Sequence, residues 1–279
     1  MRKEFYICLP SQTLMFKKSF SLAVALLLLY GCATVPVTGR KQLSLVSSNE
    51  INSMSAQQYQ EVIKTGPLST NKEQTEMIKR VGARIQKGVE QYMAEKGASD
   101  QLAGFNWEFN LIQDDKTVNA WCMPGGKVAF YTAILPICQD ETGIAVVMGH
   151  EVAHAIANHG RERMSQGLVE QFGLSTLGAA MGQNPGMTSQ IFMQAVGMGT
   201  QVGMLKFSRS HESEADHIGL IFMSMAGYDP QEAPKFWERM SAGSGGQKPP
   251  EFLSTHPSDE TRIKDLQGWI PEAMGYYKK

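Results

Sequence analysis

The chain lacks an excess of charge of either sign. Its 26 lysines and arginines face 27 aspartates and glutamates, leaving a net charge of -1. A polyanion needs a basic stripe to hold it, and none is present, so nucleic-acid binding is set aside. Long hydrophobic runs are missing too. The run Phe20 to Tyr30 (FSLAVALLLLY) has eleven residues, well short of the roughly 20 that span a bilayer. Internal repeats are absent, and cysteine is scarce, with four in 279 residues. What is present is ordinary for a globular protein. Apolar residues make up 42% and charged residues 19%, which is too apolar for disorder and enough for one large domain or two small ones.

The eleven-residue run has the length of a signal-peptide core, and Lys17 and Lys18 precede it. It ends in Leu29-Tyr30-Gly31-Cys32, a lipobox-like sequence in which Cys32 would be acylated and become the mature N-terminus. Met15 is an alternative start, because the fourteen residues before it do not resemble the charged leader of a signal peptide. Ala33 follows the cysteine, where aspartate would favour inner-membrane retention. The expectation is therefore a lipid anchor at Cys32 in the outer membrane, facing the periplasm. Residues 1–31 read as signal peptide, 32–48 as a lipidated, extended tether, and 49–279 as a single domain. Cys8 falls before the cleavage point, which leaves Cys122 and Cys138 either as a bridge or as two separately buried thiols.

Asn49 to Lys64 and Asn71 to Lys96 have helical spacing, with Met77, Val81, Ile85 and Val89 every four residues. From Phe105 the period becomes two, which predicts a half-buried strand through Leu111. Lys127 to Thr132 (KVAFYT) reads as a second strand after the turn Pro124-Gly125-Gly126. Asp140 should cap a helix from Glu141 to Asn158, stopped by Gly160. Residues 172–204 are rich in glycine and methionine and read as core and flexible lid, broken at Asn184-Pro185-Gly186. Further helices are predicted from His211 to Ala226 and from Pro230 to Met240. A last one should be capped by Ser258. Strands early and helices after predict an α+β fold, mostly helical, with a small sheet beside the central helix.

That helix, Ile144 to Ala157 (IAVVMGHEVAHAIA), is apolar almost all round and should be buried. Two histidines and a glutamate are costly there unless something satisfies them. His150 and His154 stand one turn apart on one face and can offer two nitrogens to one zinc ion. Glu151 is turned by about 100° from His150, close enough to hold water at the metal without ligating it. A metzincin would place a third histidine further along the same chain segment. Here those positions hold Ala157 and Gly160, and His159 falls about 180° from His150 while the helix lasts. The third ligand must come from elsewhere. In Ser208 to Gly219 (SRSHESEADHIG), Glu212 and Asp216 share a face. Glu212 can ligate the metal while Asp216 hydrogen-bonds a ligand histidine. Glu214 is the rival, but it points about 200° from Glu212 and has no such partner.

A His-Glu-x-x-His helix followed some sixty residues later by Ser-Arg-x-x-Glu-x-x-Ala-Asp resembles the membrane-associated gluzincins. These comprise HtpX, the prenyl-protein CAAX endopeptidases and the OMA-type proteases. Asn119-Ala120, Met123-Pro124-Gly125-Gly126 and Ser254-Thr255-His256-Pro257 extend the resemblance over most of the chain, and it is greatest to bacterial OMA-like envelope lipoproteins. The resemblance implies a zincin-like fold and one Zn2+ per chain held by His150, His154 and Glu212, with Glu151 as base. The implied activity is a zinc-dependent endopeptidase that removes misfolded or unassembled envelope proteins. His256 is then a surface histidine, a support for the oxyanion, or a fourth ligand that closes the resting site. The edge of the strand at Lys127 to Thr132 should pair with an extended substrate. Two other classes stay open: a chaperone or assembly factor with a latent metal site, and a structural zinc protein.

Overall fold

Side-chain caps open the first helices. The computed structural model describes residues 32–173, 185–195, 208–242, 251–256 and 260–277. The signal segment, most of the glycine- and methionine-rich stretch and the Ser258 cap lie outside those residues. Helix α1 (Ser48–Thr65) begins where the Ser47 hydroxyl accepts the Glu50 N–H, and α2 (Lys72–Glu95) where Asn71 accepts from Gln74. The buried stripe of α2 carries Ile78, Val81, Ile85 and Val89. The segment read as an extended tether contains a hairpin, β1 (Cys32–Thr34) antiparallel to β2 (Lys41–Leu43), with Cys32 in register with Leu43.

Strands β3 (Glu108–Ile112), β4 (Ala120–Met123) and β5 (Lys127–Tyr131) form a mixed sheet in the order β3-β5-β4. Strand β5 runs parallel to β3 and antiparallel to β4. The strand expected to begin at Phe105 begins at Glu108. Phe105 and Trp107 pack instead against the turn glycine Gly126, where the Trp107 ring lies 2.7 Å from the place a Cβ would take. Strand β5 is central and bonded on both sides, so it has no edge to offer a substrate. The outer strand on that side is β4, whose four residues are all buried and show no alternation to betray them.

The remaining elements are α3 (Leu135–Cys138), α4 (Glu141–Ile156), α5 (His159–Phe172), α6 (Pro185–Ala195), α7 (Arg209–Met225), α8 (Glu232–Ala242), α9 (Glu251–Thr255) and α10 (Glu260–Met274). The fold is α+β and mostly helical. Asp140 caps α4 by accepting from the Thr142 and Gly143 N–H groups, and every residue from Gly143 to Ile156 is buried. Helix α4 packs on α2, α7 and β4 at the centre of the molecule. It stops earlier than Gly160. Asn158 takes a left-handed conformation (φ 59°), one that asparagine tolerates better than most residues, and His159 and Gly160 begin α5. Cys122 and Cys138 are both buried and both free thiols. Among the described residues no helix is long and apolar enough to cross a membrane.

Candidate active site

Two glycines decide how near the chemistry-bearing helices come. A Cβ on Gly149 of α4 would lie 2.9 Å from the Gly219 carbonyl oxygen of α7, and one on Gly219 would lie 2.9 Å from the His150 nitrogen. The helices therefore touch backbone to backbone, which only glycine permits. That contact brings residues within two turns of it on each helix, His150 and His154 on α4 and Glu212 and Asp216 on α7, within reach of one another.

His150, His154, Glu212 and His256 converge, each offering one ligand atom, all within 4.8 Å of one another and all buried. The Nε2 atoms of His150 and His154 are 3.1 Å apart, and each lies 3.4 Å from a Glu212 carboxylate oxygen. His256 turns Nδ1 inward, 3.0 Å from Glu212 Oε1 and 3.2 Å from His150 Nε2. A tetrahedral zinc cage with bonds of about 2.0–2.2 Å has edges of roughly 3.3–3.6 Å; the 3.4 Å separations fall within that range and those of 3.0–3.2 Å lie just below it. Converging imidazole lone pairs and a carboxylate repel unless a cation stands between them, so the donor set suits a metal. Burial holds His154 well below the ordinary histidine value, in the neutral form a ligand needs. Burial pushes the Glu212 carboxyl up, but the imidazoles around it outweigh this and hold it well below the usual range.

Glu151 lies beside the cluster with Oε1 3.5 Å from His256 Nε2, and that oxygen is buried without a hydrogen-bond partner. Burial raises its carboxyl to about 7. The Glu212 charge adds to the rise, while His256, Arg262 and a hydrogen bond from the Cys122 N–H of β4 oppose it. Asp216 Oδ1 is 2.8 Å from His150 Nδ1, so His150 presents Nε2 to the cluster. Arg262 of α10 was not foreseen. It donates to both Asp216 oxygens at 2.6 and 2.7 Å, lies 3.1 Å from Glu212 Oε2, and its guanidinium lies over the Trp237 ring. The signal available was an arginine six residues after His256.

Residues 79–270, which include all of these groups, match the profile of peptidase family M48. The chain belongs to peptidase family M48. It is a metalloendopeptidase of the OMA type. The M48 chain is 37% identical to the mitochondrial metalloendopeptidase OMA1 of Schizosaccharomyces pombe, over 86% of this chain and 67% of the relative. It is 38% identical to the OMA1 of Saccharomyces cerevisiae, over 64% of this chain and 51% of that protein. It is 33% identical to the beta-barrel assembly-enhancing protease of Escherichia coli, over 58% of this chain and 34% of the relative. The chain thus spans between a third and two thirds of these relatives. They correct the expected location. Relatives aligned over most of the chain are mitochondrial, which overturns a bacterial outer-membrane protein held through Cys32 and facing the periplasm.

One further correction lies behind the M48 cluster, beside Glu214. That carboxylate stands outside the cluster and is engaged by other groups: His159 Nε2 is 2.9 Å from its Oε2, Arg40 Nε is 2.7 Å from the same oxygen, and the Thr38 hydroxyl donates to Oε1. His159 does not point away from the site. Because Asn158 breaks α4, the His159 ring swings back and places Nδ1 2.8 Å from His154 Nδ1. Burial lowers its value to about 4, so the ring is neutral.

Proposed function

We propose that this M48 peptidase is a zinc endopeptidase in which His150, His154 and Glu212 hold one metal ion and Glu151 is the general base. The observation that carries this is the convergence of the ligand atoms next to a buried Glu151 oxygen that accepts no hydrogen bond. Zinc held there would polarise the scissile carbonyl and make a neighbouring water easier to deprotonate. Glu151 takes the water proton on its free oxygen and passes it to the leaving amine. Its hydrogen bond from Cys122 ties the base to β4, so base and strand keep one geometry. Asp216 accepts the His150 Nδ1–H and is braced by Arg262. An extended substrate would pair with the outer edge of β4 and not with β5. Backbone pairing reads shape over sequence, which suits misfolded or unassembled proteins as substrates. The purified full chain should hold about one zinc and cut an unfolded protein internally. Chelation should abolish cleavage and added zinc should restore it; cleavage that survives complete removal of metal rejects the reading.

His256 is buried, which removes the surface alternative. Its Nδ1 lies among the ligand atoms at 3.0–3.2 Å, in the place a substrate group would need, and this favours a capping role in a resting enzyme. His256→Ala is then expected to raise turnover at unchanged metal content. A fall of about a hundredfold at unchanged metal content would assign it to the oxyanion instead.

A further inference from the structure

We propose that His159, Glu214 and Arg40 are positioning residues of the metal site. They form a relay that fixes the tautomer and the ring orientation of His154, and that makes the N-terminal hairpin a part of the site. This rests on the assignment of His154 as a metal ligand.

The argument follows the protons. Two Nδ1 atoms 2.8 Å apart, on His154 and His159, need one hydrogen between them. The links on either side decide which ring supplies it. Glu214 is a carboxylate and can only accept, so His159 Nε2, 2.9 Å from its oxygen, must be the donor. His154 presents Nε2 to His150 and Glu212, and a ligand nitrogen needs a lone pair, so its hydrogen sits on Nδ1. His159 Nδ1 is then the acceptor of that hydrogen. The opposite tautomer would turn a lone pair toward the Glu214 carboxylate and place a hydrogen where the metal must sit.

The rest of the network holds this order in place. Arg40 donates through Nε to Glu214 at 2.7 Å and through both terminal nitrogens to Glu162, at 2.8 and 3.2 Å. Thr38 adds a hydrogen bond to the other Glu214 oxygen. Glu162 also binds His211 Nε2 at 3.0 Å, and the His211 ring stacks on His159 with centroids 4.3 Å apart, which resists rotation of the His159 ring. The groups come from α4, α5, α7 and the turn of the β1–β2 hairpin. His159 is fully buried, with 0% of its surface exposed. A leucine would fill that place at less cost, so a buried imidazole aimed at a ligand has a reason beyond packing. His150 is oriented by a carboxylate directly and His154 by a carboxylate one imidazole further out.

The test uses the full chain and reads metal affinity by chelator competition, with the visible bands of the Co2+-substituted protein as a second readout. His159→Leu, Glu214→Ala and Arg40→Ala should each weaken metal binding by about 10–100-fold and alter the cobalt bands. His159→Gln keeps one acceptor and one donor and should recover most of the affinity. Arg40 is partly exposed, so its variant gives an answer even if His159→Leu fails to fold. His154→Ala is the control. If it keeps its metal, the ligand assignment itself is wrong. If it loses the metal while the relay variants keep parental affinity and unchanged cobalt bands, the relay is overturned, whatever happens to their thermal stability.

Discussion

Glu151→Gln is expected to lower kcat/KM by about 10²–10⁴-fold, the range that a positioned acid–base group supplies, while about one metal per chain is retained. The substitution keeps the side chain's shape. It also keeps an acceptor for the Cys122 N–H, so the tie to β4 survives. What disappears is the ability to take a proton. Burial already raises the carboxyl to about 7, so a neutral amide in the same place is no harder to bury than the carboxylate was. Folding and metal content should therefore be unaffected, and the loss should fall on turnover. The measurement is steady-state cleavage of a quenched peptide alongside metal analysis. Activity above about a tenth of the parental value at full metal content would exclude Glu151 as the base. A chaperone with a latent site predicts that binding of unfolded protein and overall function are unchanged.

The second large effect belongs to Glu212. Glu212→Ala should leave the protein with little metal after dialysis, whereas Glu214→Ala should stay loaded at ordinary concentrations and show only the weaker affinity expected of a lost supporting partner. The difference comes from what each removal uncovers. Without Glu212 the cluster loses its carboxylate, and Arg262 Nη1, which lies 3.1 Å from a Glu212 oxygen, is left facing the cation site with Asp216 as the carboxylate that still pairs the guanidinium. Without Glu214 the ligand atoms remain and only the ordering of His154 suffers. Metal analysis of both variants checks this. Metal lost from the Glu214 variant but kept by the Glu212 variant would transfer the ligand role.

The parts of this site that could be read from the sequence are those in which position along a helix decides position in space. His150, Glu151 and His154 lie on one helix, Glu212 and Asp216 on another, and a period of 3.6 residues places each set. The structure gathers His150, His154, Glu212 and His256 into one buried cluster, with Glu151 and Asp216 against it. What could not be read depends on a break in that period or on contacts between distant segments. Asn158 resets the phase of the helix, so His159, which a continuous helix would carry to the far side, returns to His154. Arg40 meets Glu214 across 174 residues, and no local pattern announces such a pair. Strand β4 is four residues long and buried on both faces, so it lacks the alternation by which strands are recognised. The hairpin at residues 32–43 hides in a stretch whose prolines and turn-forming residues suggest a loose tether.

The contact between Gly149 and Gly219 has a consequence for how the protein tolerates change. Most helix pairs meet through side chains, and a new methyl or a cavity there is absorbed by sliding the helices by tenths of an ångström. Here the two backbones already touch, with no side chain between them to be exchanged. Substitutions elsewhere in the core, at Val147 or Phe222 for instance, can cost folding free energy without moving His150 relative to Glu212. Robustness of the fold and dimensions of the metal cage are thus inherited separately, and a lineage can drift far in its hydrophobic interior while these two positions stay glycine.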